Sequence, residues 1–313
     1  MTRFRHHRYW RPLAVVAKVG LPPVVLIWLA WTLTVDQRFS GLRFDWPMAV
    51  LAVALYIGAL FSNAFRLSLV VRSLCGRLKV FEAWRICLQS AFYFVFVPLS
   101  AGFDVARFAK ISALDSGLKR PSIIGALLID RLLGLSVPLV VFTVLIAWPG
   151  LLPQIEIAAE TQWALLGALA VLCCIGLLLL SRFTLWKDID GLLRSLVHNS
   201  SSLLTALGWT VSAHTCLYAS VWCLALSLGI NAPLLYIVVG CVCGLILQIV
   251  PLNVGGLGAG EAAGVFVYSF LGFAMHDAVL LALLPYLFRV GTAVCGGIWE
   301  WLNGIRHARA AFK

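Results

Sequence analysis

The sequence predicts an all-α polytopic membrane protein, with about six full transmembrane helices and two re-entrant helical hairpins in an inverted-repeat organisation. Three observations carry this. Of 313 residues, 62% are hydrophobic and only 12% charged, against roughly a quarter charged in soluble domains. The mean hydropathy is +0.97 over 34.2 kDa, which leaves too little polar surface for a water-soluble globule and excludes a secreted or cytosolic enzyme. The basic residues, finally, are gathered into loops that alternate along the chain with base-poor ones.

Lys and Arg outnumber Asp and Glu 24 to 13, a net charge of +11. Basic loops on the cytoplasmic side are the ordinary cause of such an excess in a membrane protein. No basic, aromatic surface module lies outside the apolar runs, so no nucleic-acid partner is expected. The nine cysteines mostly sit inside apolar runs. Cys241 and Cys243 are two apart with no histidine at zinc-ligand spacing, so the thiols read as small packing groups and neither metal nor cofactor is expected.

The elements follow in order. Residues 1–12 read MTRFRHHRYWRP, a basic tail with no small-residue cleavage site after the apolar run that follows. A spanning helix needs about 20 mostly apolar residues. Leu13–Val35 and Pro47–Val71 meet that length, Ala83–Pro98 falls short, and Pro121–Ala147 spans with tilt. Gln162–Ser181 and Leu203–Gly229 follow. Pro233–Val250 is short and ends at a proline, Glu261–Gly272 is shorter still, and Ala278–Leu302 closes the apolar region. Residues 13–303 thus form one transmembrane domain with half-repeats of about 47–147 and 203–302, and 304–313 form a second basic tail.

The charges orient these runs. Arg72, Arg77, Lys79 and Arg85 follow the second run, and Arg107, Lys110, Lys119 and Arg120 precede Pro121. Arg182, Lys187 and Arg194 precede Leu203, and Arg306, Arg309 and Lys313 end the chain. Trp148–Thr161, the turn at Asn231 and the turn Phe273–Asp277 hold no base. Both termini are therefore expected to be cytoplasmic. Two consecutive basic loops flank Ala83–Pro98, which must enter and return. Two base-poor turns flank Pro233–Gly272, which must do the same from the opposite face. Trp28, Trp31, Trp46, Trp148, Trp163, Trp186, Trp209 and Trp301 fall near the ends of runs, as an interfacial aromatic belt does.

The tips of the two hairpins resemble each other. One reads Val97-Pro98-Leu99-Ser100-Ala101-Gly102, the other Val250-Pro251-Leu252-Asn253-Val254-Gly255. Broken helices in paired halves point to a site near the bilayer midplane. Non-helical backbone at that depth must line a cavity or pack in protein. Gly102, and the stretch Gly255-Gly256-Leu257-Gly258-Ala259-Gly260, permit tight turns. Helix N-termini near Phe103 and Gly260 would offer free N–H groups to an anion such as a lipid phosphate.

Ionisable residues in apolar runs are functional candidates by default. Asp104 and Arg107 open the helix after the first turn, Asp130 and Arg131 sit in mid-run, Glu261 opens the helix after the second turn, and Arg289 lies within Leu283–Val294. Adjacent helical residues diverge, so Asp130 and Arg131 need separate partners. Arg107 with Asp130, and Arg289 with Glu261, are plausible pairs. Arg107, Arg131 and Arg289 are expected to converge on one polar cavity, with Asp104, Asp130 and Glu261 holding them when no lipid is bound. Gly102, Gly255, Gly256 and Gly258 complete the expected substrate site. Arg66 and Glu300 read as interfacial residues, and His214 as a hydrogen-bonded packing residue.

Arg66, Pro98 to Arg107, Asp130-Arg131, Pro251 to Glu261 and Arg289 together resemble the lysylphosphatidylglycerol synthetase transmembrane-region family, the flippase-like membrane proteins. The resemblance covers residues 10–305 and is carried most specifically by Pro251-Leu-Asn-Val-Gly-Gly-Leu-Gly-Ala-Gly-Glu261. Ala101 and Phe103 flank Gly102 where a Gly-Gly pair usually stands. The resemblance implies a bacterial inner-membrane protein that moves a polar lipid, anionic or of isoprenoid or glycolipid type, between leaflets. The chain reaches only Lys313, so the aminoacyl-transferase domain fused to some relatives is not expected. The alternative is a non-transporting scaffold or partner of a separate lipid- or glycan-modifying enzyme. No HExxH, no catalytic carboxylate or histidine cluster and no Walker loop is present, so neither catalysis nor direct ATP drive is expected.

Overall fold

The computed structural model describes residues 44–74, 76–96, 102–114, 120–148, 200–248, 253–254 and 257–311, with Val24 and Gly150. The expected spans Leu13–Val35 and Gln162–Ser181, the tip residues 97–101, and Gly255 and Gly256 lie outside the described residues. Eight helices are described. They are α1 Trp46–Leu74, α2 Val80–Phe96, α3 Gly102–Leu114, α4 Arg120–Ala147, α5 Ser200–Ser227, α6 Leu234–Leu247, α7 Ala259–Phe270 and α8 Met275–Ala311. β1 Asn253–Val254 pairs antiparallel with β2 Leu257–Gly258 between α6 and α7.

Helix lengths repeat along the chain. The first half runs 29, 17, 13 and 28 residues; the second runs 28, 14, 12 and 37. Each half has its own apolar core. One joins Leu67, Ile86, Ile111 and Ile123 of α1 to α4. The other joins Val221, Ile237, Tyr268 and Leu284 of α5 to α8.

Among the described residues, α1, α4 and residues 275–303 of α8 are long and apolar enough to cross a membrane. Their surfaces agree. On α1, Val50, Val53, Ile57 and Phe61 form an exposed stripe, while Ala52, Ser62 and Arg66 are buried. Apolar outside and small or polar inside is the arrangement that lipid, not water, rewards. Trp46, Trp148 and Trp301 stand exposed near helix ends, in keeping with a belt. Trp209 departs from that expectation: its ring stacks on Phe65 at 4.4 Å, in a helix–helix seam.

α1 begins at an Asp-Trp-Pro sequence. Asp45 Oδ1 accepts the Met48 N–H at 3.3 Å, and Pro47 needs no amide partner in the first turn. Asp45 N–H also reaches the Ser227 carbonyl at 3.2 Å, Ser62 meets Ser212 at 3.1 Å, and Phe65 meets Trp209. Rising numbers on α1 meet falling ones on α5, so the two long helices run antiparallel.

Glycine spacing decides the closest crossings. Gly240 and Gly244 on α6 face Tyr268 and Gly260 of α7. A Cβ at Gly260 would stand 2.7 Å from the Gly244 carbonyl, and one at Gly264 3.0 Å from the Ala282 Cβ. Gly240, Gly244 and Gly260 thus let α6 and α7 fold back on each other as a hairpin, while Gly264 lets α7 approach α8. On α8, a Cβ at Gly296 would overlap the Leu88 carbonyl of α2, and one at Gly297 would lie 2.6 Å from Phe92. Helix α8 also runs to Ala311, so the backbone of the expected tail 304–311 continues the helix.

Candidate functional site

Pro138 lies inside α4 and has no N–H to give the Gly134 carbonyl one turn earlier. That carbonyl is met instead by His214 Nε2 of α5 at 2.9 Å. A carbonyl only accepts, so Nε2 carries the proton. His214 is thus the hydrogen-bonded residue expected, and it also lines a cavity of about 170 Å³ between α1, α5, α6, α7 and α8. Pro285, inside α8, leaves the Leu281 carbonyl without its ordinary helical partner in the same way. Both Leu281 and Pro285 line the cavity.

Among the described residues, Glu261 and Arg289 are the charged residues that line that cavity. Glu261 is the third residue of α7. Its Oε2 accepts the Gly258 N–H at 2.7 Å, which satisfies one of the helix's open donors and sets a negative charge at the positive end. Its Oε1 pairs with Arg289 Nη2. Gln248, at the end of α6, completes the group. With its oxygen toward the guanidinium, its amide accepts from Arg289 Nη1 and Nη2 at 3.0 and 3.2 Å. Tyr56 brings α1 to the same place: it stacks on Phe288 at 4.4 Å and accepts from Thr292 at 3.1 Å. Most of the remaining wall is apolar or glycine.

A second charged group is packed inside the first half. Asp130 Oδ1 takes Arg66 Nε at 2.8 Å, and its Oδ2 takes Arg107 Nη1 at 3.0 Å. Arg107 Nη2 lies 3.1 Å from Cys87 Sγ, and its guanidinium stacks 4.1 Å over Phe103. Arg66 is only 5% exposed, which corrects its expected interfacial place: α2, α3 and α4 close over the end of α1. Two arginines on one carboxylate hold three helices together.

Arg131, next to Asp130, points elsewhere and pairs with Asp104 at 2.5 Å. Arg131 remains 55% exposed in that pair. The expected convergence of Arg107, Arg131 and Arg289 is therefore not found. Arg289 and Glu261 meet in the cavity, Arg107 and Asp130 meet in the buried group, and Arg131 and Asp104 meet nearer the surface. Neighbours on a helix diverge, so Asp130 and Arg131 could not serve one site. Gly102 opens α3 and is buried; Gly258 caps α7. The free N–H groups expected at the start of α7 are partly taken by Glu261. Glu300 ties α8 to α3 and α2, bonded to Lys110 Nζ at 2.8 and 2.9 Å and to Tyr93 at 3.0 Å.

Gln248 was not among the expected site residues. Its signal was available: an amide ending an otherwise apolar run, three residues before Pro251.

The fold and its lipid-facing stripes are those of an all-helical integral membrane protein with a charged cavity in its interior. Residues 12–297 match the family of the lysylphosphatidylglycerol synthase TM region; the chain belongs to that family. No curated protein and no solved structure matches it.

Proposed function

We propose that this chain moves a polar, phosphate-bearing lipid between leaflets of the bacterial inner membrane, without catalysis, and that the headgroup passes through the cavity of Glu261 and Arg289. One observation supports this most: an arginine–carboxylate pair faces an open cavity inside an apolar bundle, where an unneeded charge pair is costly. A phosphate supplies two oxygens that the planar fork of a guanidinium can meet together. In this reading α2–α3 and α6–α7 are re-entrant hairpins entering from opposite faces, six further helices span, the halves are inverted repeats, and both termini are cytoplasmic. The expected lipid is anionic or of isoprenoid or glycolipid type.

The test is translocation of labelled lipids in vesicles containing the purified chain, beside its thermal unfolding. Arg289→Lys, which keeps the charge and loses the fork, is expected to lose most translocation at nearly unchanged unfolding temperature. Transport that survives Arg289→Lys, or that falls only with the fold, overturns the site. Absence of any transport by the intact chain favours the scaffold of a lipid-modifying enzyme instead.

A further inference from the structure

Two of the groups that hold Arg289 in the cavity are unequal. Glu261 brings a full negative charge and is itself anchored, its other oxygen on the Gly258 N–H at 2.7 Å. Gln248 brings a neutral amide. Its oxygen accepts from Nη1 at 3.0 Å and from Nη2 at 3.2 Å. It therefore stands across the end of the guanidinium, the edge that meets two phosphate oxygens at once. Net of water, a neutral acceptor contributes far less than a buried charge loses when its partner is stripped away. Of the two groups, Gln248 is the one an anion displaces more easily.

The local backbone gives that side chain its reach. Gln248 is half-buried at the end of α6 and lines the cavity together with Gly260, Glu261 and Arg289. Its stem lies against Gly260, where a Cβ would stand 2.5 Å from the Gln248 Cγ. Any larger residue at 260 would push the amide off the pair. A neutral headgroup hydroxyl offers Arg289 no more than the amide already gives, whereas a phosphate adds charge and a second oxygen.

We infer that Gln248 is a displaceable plug on the Arg289 fork and a specificity-determining residue of the cavity. Its amide oxygen holds the place of a phosphate oxygen. A phosphate-bearing headgroup enters by taking Nη1 and Nη2 from it, while Glu261 stays bound. This rests on the lipid reading above and deepens it.

The experiment measures binding by the full chain in a phosphate-free maltoside detergent, beside thermal unfolding. The probes are dihexanoyl phosphatidylglycerol and water-soluble glycerol phosphate. Gln248→Met keeps the length that rests on Gly260 and removes the amide oxygen. It is expected to bind the lipid about tenfold tighter than the wild type, at nearly unchanged unfolding temperature. Gln248→Glu keeps the shape but sets a charged oxygen on the fork, and is expected to bind about tenfold more weakly. A packing role alone leaves Gln248→Met at wild-type affinity, and a role as a direct headgroup contact weakens it; either result overturns the inference. A folded Gln248→Glu that binds like the wild type also overturns it; if that variant does not fold, Gln248→Met decides alone. Glycerol phosphate that binds as tightly as the lipid, and is tightened equally by Gln248→Met, overturns the lipid reading and upholds the plug. Binding of neither probe by the wild type or by Gln248→Met overturns the phosphate reading of the cavity and the plug with it.

Discussion

Asp104 and Glu261 hold the same place in the two halves. Each is the third residue of its short helix, and each pairs with an arginine of the long helix that follows, Arg131 and Arg289. The surroundings differ. Arg131 is 55% exposed where Arg289 is 20% exposed. The same arrangement is a surface tie in the first half and faces inward in the second.

The difference sets two unequal costs. Asp104→Asn is expected to cost no more than about 1 kcal/mol, as exposed pairs do. Glu261→Ala should cost about 3–5 kcal/mol, the range for a buried charge left without its partner, and should also uncap α7. Thermal unfolding in detergent compares them; equal losses would show that exposure does not set the strength of these pairs.

At Asp130 the partners are unequal in number. Arg66→Ala leaves a one-to-one pair of Arg107 and Asp130, whereas Asp130→Asn strands two buried cations. Asp130→Asn should therefore lower the unfolding temperature well beyond Arg66→Ala, with a loss above about 3 kcal/mol. The reverse order in the same unfolding measurement contradicts the shared-carboxylate account.

The α2–α8 crossing makes a packing prediction. Gly296→Val puts a branched side chain into the Leu88 carbonyl, while Gly291 of the same helix has nothing within 4 Å of an added Cβ. Gly296→Val should fail to accumulate as folded protein, and Gly291→Ala should be tolerated or slightly stabilising through its helix propensity, by under about 1 kcal/mol. Expression with size-exclusion profiles checks both.

Topology is tested by labelling. Asn231 and Met275 are exposed, and the turns that hold them lie together, with Tyr236 and Phe273 rings 6.2 Å apart. Single cysteines at Asn231 and Met275 should both react with a membrane-impermeant maleimide from the non-cytoplasmic face. Reaction of one from each face means that α6 or α7 crosses on its own.

Much of this was legible in the residues. The spans at Pro47–Val71 and Pro121–Ala147 follow from apolar run length alone, because a bilayer demands a fixed helix length. The Arg107–Asp130 and Arg289–Glu261 pairs follow from the cost of lone charges in apolar runs. Arg66 did not, since it lies six residues before Arg72 and resembles a helix end; only the closing of α2 and α3 over it makes it internal. The β1–β2 turn was hidden among glycines that permit several backbones. The α6–α7 seam was readable from Gly240 and Gly244, four residues apart, with Gly260 across from them. What the seam meets depends on Tyr268, which no spacing reveals.

Gly240, Gly244, Gly260 and Gly264 also wall the cavity. At Gly240 and Gly260 an added methyl would strike Tyr268 and the Gly244 carbonyl, so α6 and α7 cannot reshape their side of the cavity without unseating their own hairpin. Diversification of the ligand among descendants of this sequence is thereby channelled to the facing helices α1 and α5, at Tyr56, Asn63 and His214. Substitution there changes the chamber and leaves the hinge of the fold alone.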